Sequence, residues 1–178
     1  MRLWVRAEYA EELAVLSTFL TGLLPWTVSY GDFGDLGSVF YVRFPLFQVR
    51  YSFGLPVFEA VSISDPYSAF ASRGTTDIVG AIVASKGITM ADGYAVWVVG
   101  AAIVLIALTF AVFAYFEPAI LEPVPTVPIL GSLLGLAGLV LGAAWWLLYT
   151  RGFPGPSVPV GVPIVLLLAV VLLRSERT

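Results

Sequence analysis

The chain has no cysteine and no histidine. Those absences exclude disulfides, thiolate nucleophiles, c-type haem attachment and Cys/His zinc sites. They also remove the imidazole as a general base. Lysine occurs once, at Lys86, and the only thioethers are Met1 and Met90. Charged residues make up 12% of the 178 residues, against about 25% in an ordinary soluble domain. Acidic residues outnumber basic ones and the net charge is −3, so the surface offers nothing to nucleic acid. No Gly-x-Ser-x-Gly, P-loop, dinucleotide fingerprint or metalloprotease helix occurs. No cofactor, metal site or catalytic residue is therefore expected.

What is present is apolar. Hydrophobic residues reach 59%, and the mean hydropathy is +0.94. Tyr94–Phe116, Val127–Tyr149 and Val158–Leu173 contain no ionisable Asp, Glu, Lys, Arg or His. A helix rises about 1.5 Å per residue and the hydrocarbon core of a bilayer is about 30 Å thick, so about 20 apolar residues cross it. The first two stretches are long enough and the third is marginal. A fourth apolar run, Leu13–Leu24, follows Arg2, Arg6, Glu8, Glu11 and Glu12. Its start is mixed in sign and no Ala-x-Ala site follows, which argues for an uncleaved first helix rather than a signal peptide. The predicted fold is a mainly α membrane protein. Four transmembrane helices cover 1–30, 93–116, 127–149 and 158–174, with a small antiparallel β meander between helices one and two. Pro163 would kink the last helix if that helix began at Pro159.

Residues 31–92 are read as the extracytoplasmic part. Trp26–Tyr30, Ser38–Phe44, Phe47–Phe53 and Val57–Ile63 alternate with period two and are separated by Gly and Pro, as expected of a meander. Phe47, Val49, Tyr51 and Phe53 share one face and Gln48, Arg50 and Ser52 the other. The apolar face should meet the membrane surface or a partner. Thr75–Lys86 fits an interfacial amphipathic helix or a re-entrant segment.

Arg2, Arg6, Arg174 and Arg177 flank the two outermost helices, so both termini are expected in the cytoplasm. The 117–128 link would share that side but carries only Glu117 and Glu122. Trp26, Trp97, Trp145 and Trp146 fall at the outer helix ends, as an interfacial belt would.

Gly131, Gly135, Gly138 and Gly142 line one face of the third helix, and Gly100, Ala107, Ala111 and Ala114 form a matching groove on the second. Small residues let membrane helices approach closely. Intramolecular packing of helices two and three is the plain expectation, and a homo-oligomer or subunit interface is the sharper one. Arg43 and Arg50 flank the Phe44-Pro-Leu-Phe47 turn and could hold lipid phosphate or a carboxylate. The favoured expectation is a solvated strand face with local partners such as Glu59 or Asp65. Glu8, Glu11 and Glu12 complement a helix dipole, and Asp32-Phe-Gly-Asp35 reads as a turn, with too few oxygens for an EF-hand.

The string Arg43-Phe-Pro-Leu-Phe-Gln-Val-Arg-Tyr-Ser-Phe-Gly54, following Leu-Pro-Trp26, resembles a family of small haloarchaeal membrane proteins of uncharacterised activity. The resemblance implies a halophilic archaeal source, in keeping with the arginine bias, and no activity. The expected role is a non-catalytic accessory subunit or scaffold in the lipid bilayer, with a membrane-protein partner or a second copy. The alternative is an oligomeric channel or transporter component. An enzyme ranks last.

Overall fold

A computed structural model describes residues 9–32, 34, 37–54, 61–71, 91–116, 124–151, 153 and 155–175. Helix α1 (Ala10–Leu23) leads into strands β1 (Thr27–Asp32), β2 (Ser38–Arg43), β3 (Gln48–Phe53) and β4 (Val61–Ser64). A one-turn helix α2 (Pro66–Ala71) follows, then α3 (Ala91–Phe116), α4 (Thr126–Arg151), β5 (Ser157–Val158) and α5 (Gly161–Arg174). The fold is mainly α with a small antiparallel sheet. Thr75–Lys86, proposed as an interfacial helix, and the 117–123 part of the link lie outside the described residues.

By length and composition, α3 and α4 are the two described helices able to cross a membrane. Each has 26 residues, a rise of about 39 Å. Each carries one charge, at the same end of the bundle: Asp92 opening α3 and Arg151 closing α4. Helices α1 and α5 have 14 residues each, a rise of only about 21 Å. Pro128 and Pro163 both sit in first turns, where the missing N–H is no loss. The last helix therefore starts at Gly161, past Pro159, and the kink expected from Pro163 does not arise.

The four longer helices alternate in direction. A Cβ on Gly93 would meet Leu148, and one on Gly100 would meet Leu141, so α3 and α4 run antiparallel. Gly131 lies against Leu172 and Gly142 against Val162, so α4 and α5 do too. One cluster joins α1, α3, α4 and α5 through Ala10, Ala14, Ala107, Ala111, Leu130, Leu134, Val165 and Ala169. A second runs from the sheet into the helices through Trp26, Tyr41, Trp97, Leu141, Leu148, Phe153 and Val162.

The sheet has the order β4-β3-β2-β1-β5. The first four strands form an antiparallel meander, as expected; of the fourth expected strand, Val57–Ile63, residues 57–60 lie outside the described residues, and β4 runs on to Ser64. The fifth is an addition: Ser157 and Val158 pair with Ser29 and Val28, so the segment assigned to the last helix begins as an edge strand. That return needs very close backbone approach. A Cβ on Gly161 would collide with the Pro25 carbonyl, and one on Gly155 with the Tyr30 carbonyl.

Three indoles fasten the sheet to the bundle. Trp97 Nε1 donates to the Pro45 carbonyl (2.9 Å), Trp26 Nε1 to the Phe44 carbonyl (3.1 Å) and Trp145 Nε1 to the Ser157 carbonyl (3.2 Å). Trp26 and Trp97 are fully buried. They are clamps within the protein, not members of a lipid-facing belt. Trp146 is the exposed one.

Candidate functional site

The buried face of the sheet is largely polar. Along β1, β2 and β3 the inward residues are Thr27, Ser29 and Gly31, then Val39, Tyr41 and Arg43, then Gln48, Arg50 and Ser52. Thr27, Arg43, Gln48 and Ser64 are successive register partners across β1 to β4. Their side chains therefore form one stripe perpendicular to the strands.

Arg43 is the centre of that stripe and is 1% exposed. On one side its Nε donates to Gln48 Oε1 (3.2 Å), and Gln48 Nε2 donates onward to Ser64 Oγ (2.8 Å). On the other its Nη1 donates to Ser29 Oγ (2.9 Å). Ser29 Oγ lies 2.7 Å from Ser157 Oγ, which lies 3.2 Å from Thr27 Oγ1. Thr27 Oγ1 donates to the Val158 carbonyl. Each hydroxyl has one proton, which fixes the order: Ser29 donates to Ser157, and Ser157 to Thr27. One chain of hydrogen bonds thus links all five strands.

The guanidinium also lies over two rings, 4.6 Å from the Tyr41 centroid and 5.5 Å from that of Phe153. Ring faces carry partial negative charge and favour a cation there. Among the described residues no carboxylate pairs with Arg43, and its Nη2 has no hydrogen-bond partner. A buried charge without a counter-ion is costly, so its cost must be met by the hydrogen-bonded stripe and the rings. The hydroxyl protons of Thr27, Ser29 and Ser157 are committed within this chain of bonds, and among the described residues no carboxylate is bonded to it.

Across the Phe44–Phe47 turn Arg43 faces Gln48 and Arg50 faces Tyr41, so the two arginines are diagonal neighbours on one face of adjacent strands. That face is covered by the protein, not solvated: Arg43 is buried and Arg50 half-buried. Alternation fixes which residues share a face, and here the polar set turns inward. Asp65, a suggested partner, instead caps α2, accepting from the Ser68 amide and hydroxyl. The Ser68 hydroxyl and then its amide hold the Asp65 carboxyl below its ordinary value. Glu59 lies outside the described residues.

The small-residue faces are also sorted differently. Gly131, Gly135, Gly138 and Gly142 all face α5, meeting Leu172, Ala169, Leu166 and Val162. They do not face the second helix. There Gly100 receives Leu141 of α4 instead. Ala107 and Ala111 are buried in the cluster that also holds Ala10 and Ala14 of α1, and Ala114 is half-buried. Small-xxx-small spacing marks a close approach but not its partner. Glu11 and Glu12 lie in the first turn of α1, and Asp32 Oδ1 accepts from the Gly34 amide as a turn acid does.

The stripe, the Trp clamps and Ser157 were not singled out from the sequence. A signal was present. Thr27, Ser29, Gln48, Ser52, Ser62 and Ser64 share the inward parity with Arg43 and Arg50, and apart from those two arginines the polar set is small and neutral. A solvated face would carry Lys or Glu. Small neutral polar groups suit an internal hydrogen-bonded layer.

A family model matches residues 3–177. The chain belongs to a family of unknown function, DUF7549. The match covers the stripe, the clamps and all described helices of this DUF7549 chain. No curated protein matches it. Among its described residues, no three His, Cys, Asp or Glu side chains gather as a metal site would require.

Proposed function

We propose that this chain is a multi-pass integral membrane protein in which α1, α3, α4 and α5 form a four-helix anchor. It works as a non-catalytic accessory subunit or scaffold that presents the sheet at one side of the membrane. The observation that carries the membrane part is the coverage of α3 and α4. Only 33% and 44% of their most apolar windows are buried inside the protein. A core helix of a soluble protein would be mostly covered. Here Val99, Leu105, Ile106, Val112, Phe113, Leu136 and Leu139 point outward. Water makes such a surface unstable and lipid does not.

Arg174 ends α5 at the end of the bundle opposite the sheet, and α1 begins at that end. Positive flanks there favour a cytoplasmic location for both termini and an outer location for the sheet. The non-catalytic part rests on the committed protons of Thr27, Ser29 and Ser157 and on the missing imidazole and thiol.

The test is purification from native membranes in a mild detergent, followed by mass spectrometry of what travels with the chain. A stoichiometric membrane partner supports the accessory role. A clean monomer that conducts ions in liposomes would replace it with the channel reading.

A further inference from the structure

The outer face of the sheet is apolar, the reverse of a sheet on a water-soluble core. Its residues sort into rows by distance from the bundle. The nearest row, one residue from the polar stripe, is aliphatic: Val158, Val28, Val42, Val49 and Ile63. The next contains Tyr30, Phe40, Tyr51 and Val61. The farthest contains Asp32, Ser38 and Phe53. Ile63 is 71% exposed and Val158 57%.

We propose that this face lies against the lipid surface, with the aliphatic row at the hydrocarbon boundary and the aromatic row among the headgroups. The proposal rests on the membrane reading above and adds where the sheet sits.

Depth supports it. The Asp92–Arg151 ion pair is exposed and joins the sheet-side ends of α3 and α4, which puts the water boundary near those residues. Trp97 is five residues into α3 from Asp92, about 7.5 Å along the axis, and Trp145 is about 9 Å from Arg151. Those indoles hold the Phe44–Phe47 turn and β5. The near edge of the sheet is therefore anchored below the level of the ion pair, beside helix surface that faces lipid.

The order of chemistry agrees. Rows are two residues apart, about 7 Å, and the interfacial layer on each side of a bilayer is of the same order. An aliphatic row, then a largely aromatic one, then one that brings Asp32 and Ser38 in beside Phe53, follows the order that a membrane boundary selects. A protein partner would select a concentric pattern, with an apolar centre inside a polar rim.

The natural absence of cysteine makes a direct test simple. Single nitroxide labels are placed on Ile63→Cys, Val61→Cys and Asp32→Cys, with Ile106→Cys on α3 as the lipid reference. Each variant is reconstituted in phosphatidylcholine vesicles, and collision with oxygen and with a water-soluble nickel chelate is measured. The expected oxygen-to-nickel ratio is several-fold higher at Ile63 than at Asp32, with Val61 between them. A lipid-like Ile106 with a water-like Ile63 would overturn the proposal and leave the membrane reading intact. Protection of Ile63 from both reagents would also overturn it, because a protein would then cover the face. A water-like Ile106 would overturn the membrane reading, and this proposal with it.

Discussion

Alanine in place of glycine should have opposite effects at two positions of the same helix bundle. At Gly135 an added Cβ would meet only Ala169 Cβ, at 3.6 Å, an ordinary contact. Alanine is favoured over glycine within a helix by up to about 1 kcal/mol, so Gly135→Ala should leave stability unchanged or raise it by that amount. At Gly93 the Cβ would lie 2.6 Å from Leu148 Cγ and 3.2 Å from the Leu148 amide nitrogen. Backbone cannot rotate away, so α3 and α4 must separate. Overpacking of this kind costs about 1–3 kcal/mol, which exceeds the helix gain. Gly138→Ala falls between the two, since the atom at 2.8 Å is a methyl of Leu166. The assay is reversible unfolding in mixed micelles with rising SDS, followed by tryptophan fluorescence. Gly93→Ala should be less stable than Gly135→Ala by at least about 1 kcal/mol, about a fivefold change in the equilibrium. Equal effects of the same sign would refute the assigned helix contacts.

Other outcomes follow from the stripe, the clamp and the cap. Arg43→Ala leaves Ser29 Oγ and Gln48 Oε1 without their donor and opens a hole beside Tyr41 and Phe153. It should cost about 2–4 kcal/mol in the same unfolding assay. Arg43→Met also removes the guanidinium but fills that hole, so it should cost at least about 1 kcal/mol less than Arg43→Ala; the reverse order would contradict the packed position beside Tyr41 and Phe153. Trp97→Phe removes the donor to the Pro45 carbonyl and should cost about 1–3 kcal/mol. Hydrogen exchange should quicken at the Phe44 amide, which is bonded to the Phe47 carbonyl across that turn. Asp65→Ala removes the cap of α2 and should loosen it, by exchange at Ala69. Because the folded carboxyl is held below its ordinary value, the cap contributes fully above that ordinary value. It is lost as the pH falls through the lowered one, so the difference between Asp65→Ala and the parent chain should vanish in acid.

The long helices and four strands were legible because each has its own period. Tyr94–Phe116 has no charge to interrupt it, and Phe47–Phe53 alternates without a break. Four features were not legible, for physical reasons. Alternation along β3 separates Gln48 and Arg50 from Val49 and Tyr51, but only the surroundings decide which set turns inward. The glycine face of α4 fixes a spacing, and both α3 and α5 offer residues to fill it. Ser157-Val158 is too short to alternate, and its pairing with β1 comes from a contact about 130 residues away in the chain. Tryptophans at helix ends suit an interface and suit a clamp equally well; the carbonyls of Pro45 and Phe44 decide between them.

Everything functional depends on α3 and α4 lying in lipid. The most direct measurement is flotation of membranes from expressing cells on a density gradient after washing with alkaline carbonate. The chain should remain with the floating membranes and be released only by detergent. Recovery of the washed chain in the aqueous fraction, monodisperse without any amphiphile, would contradict the account.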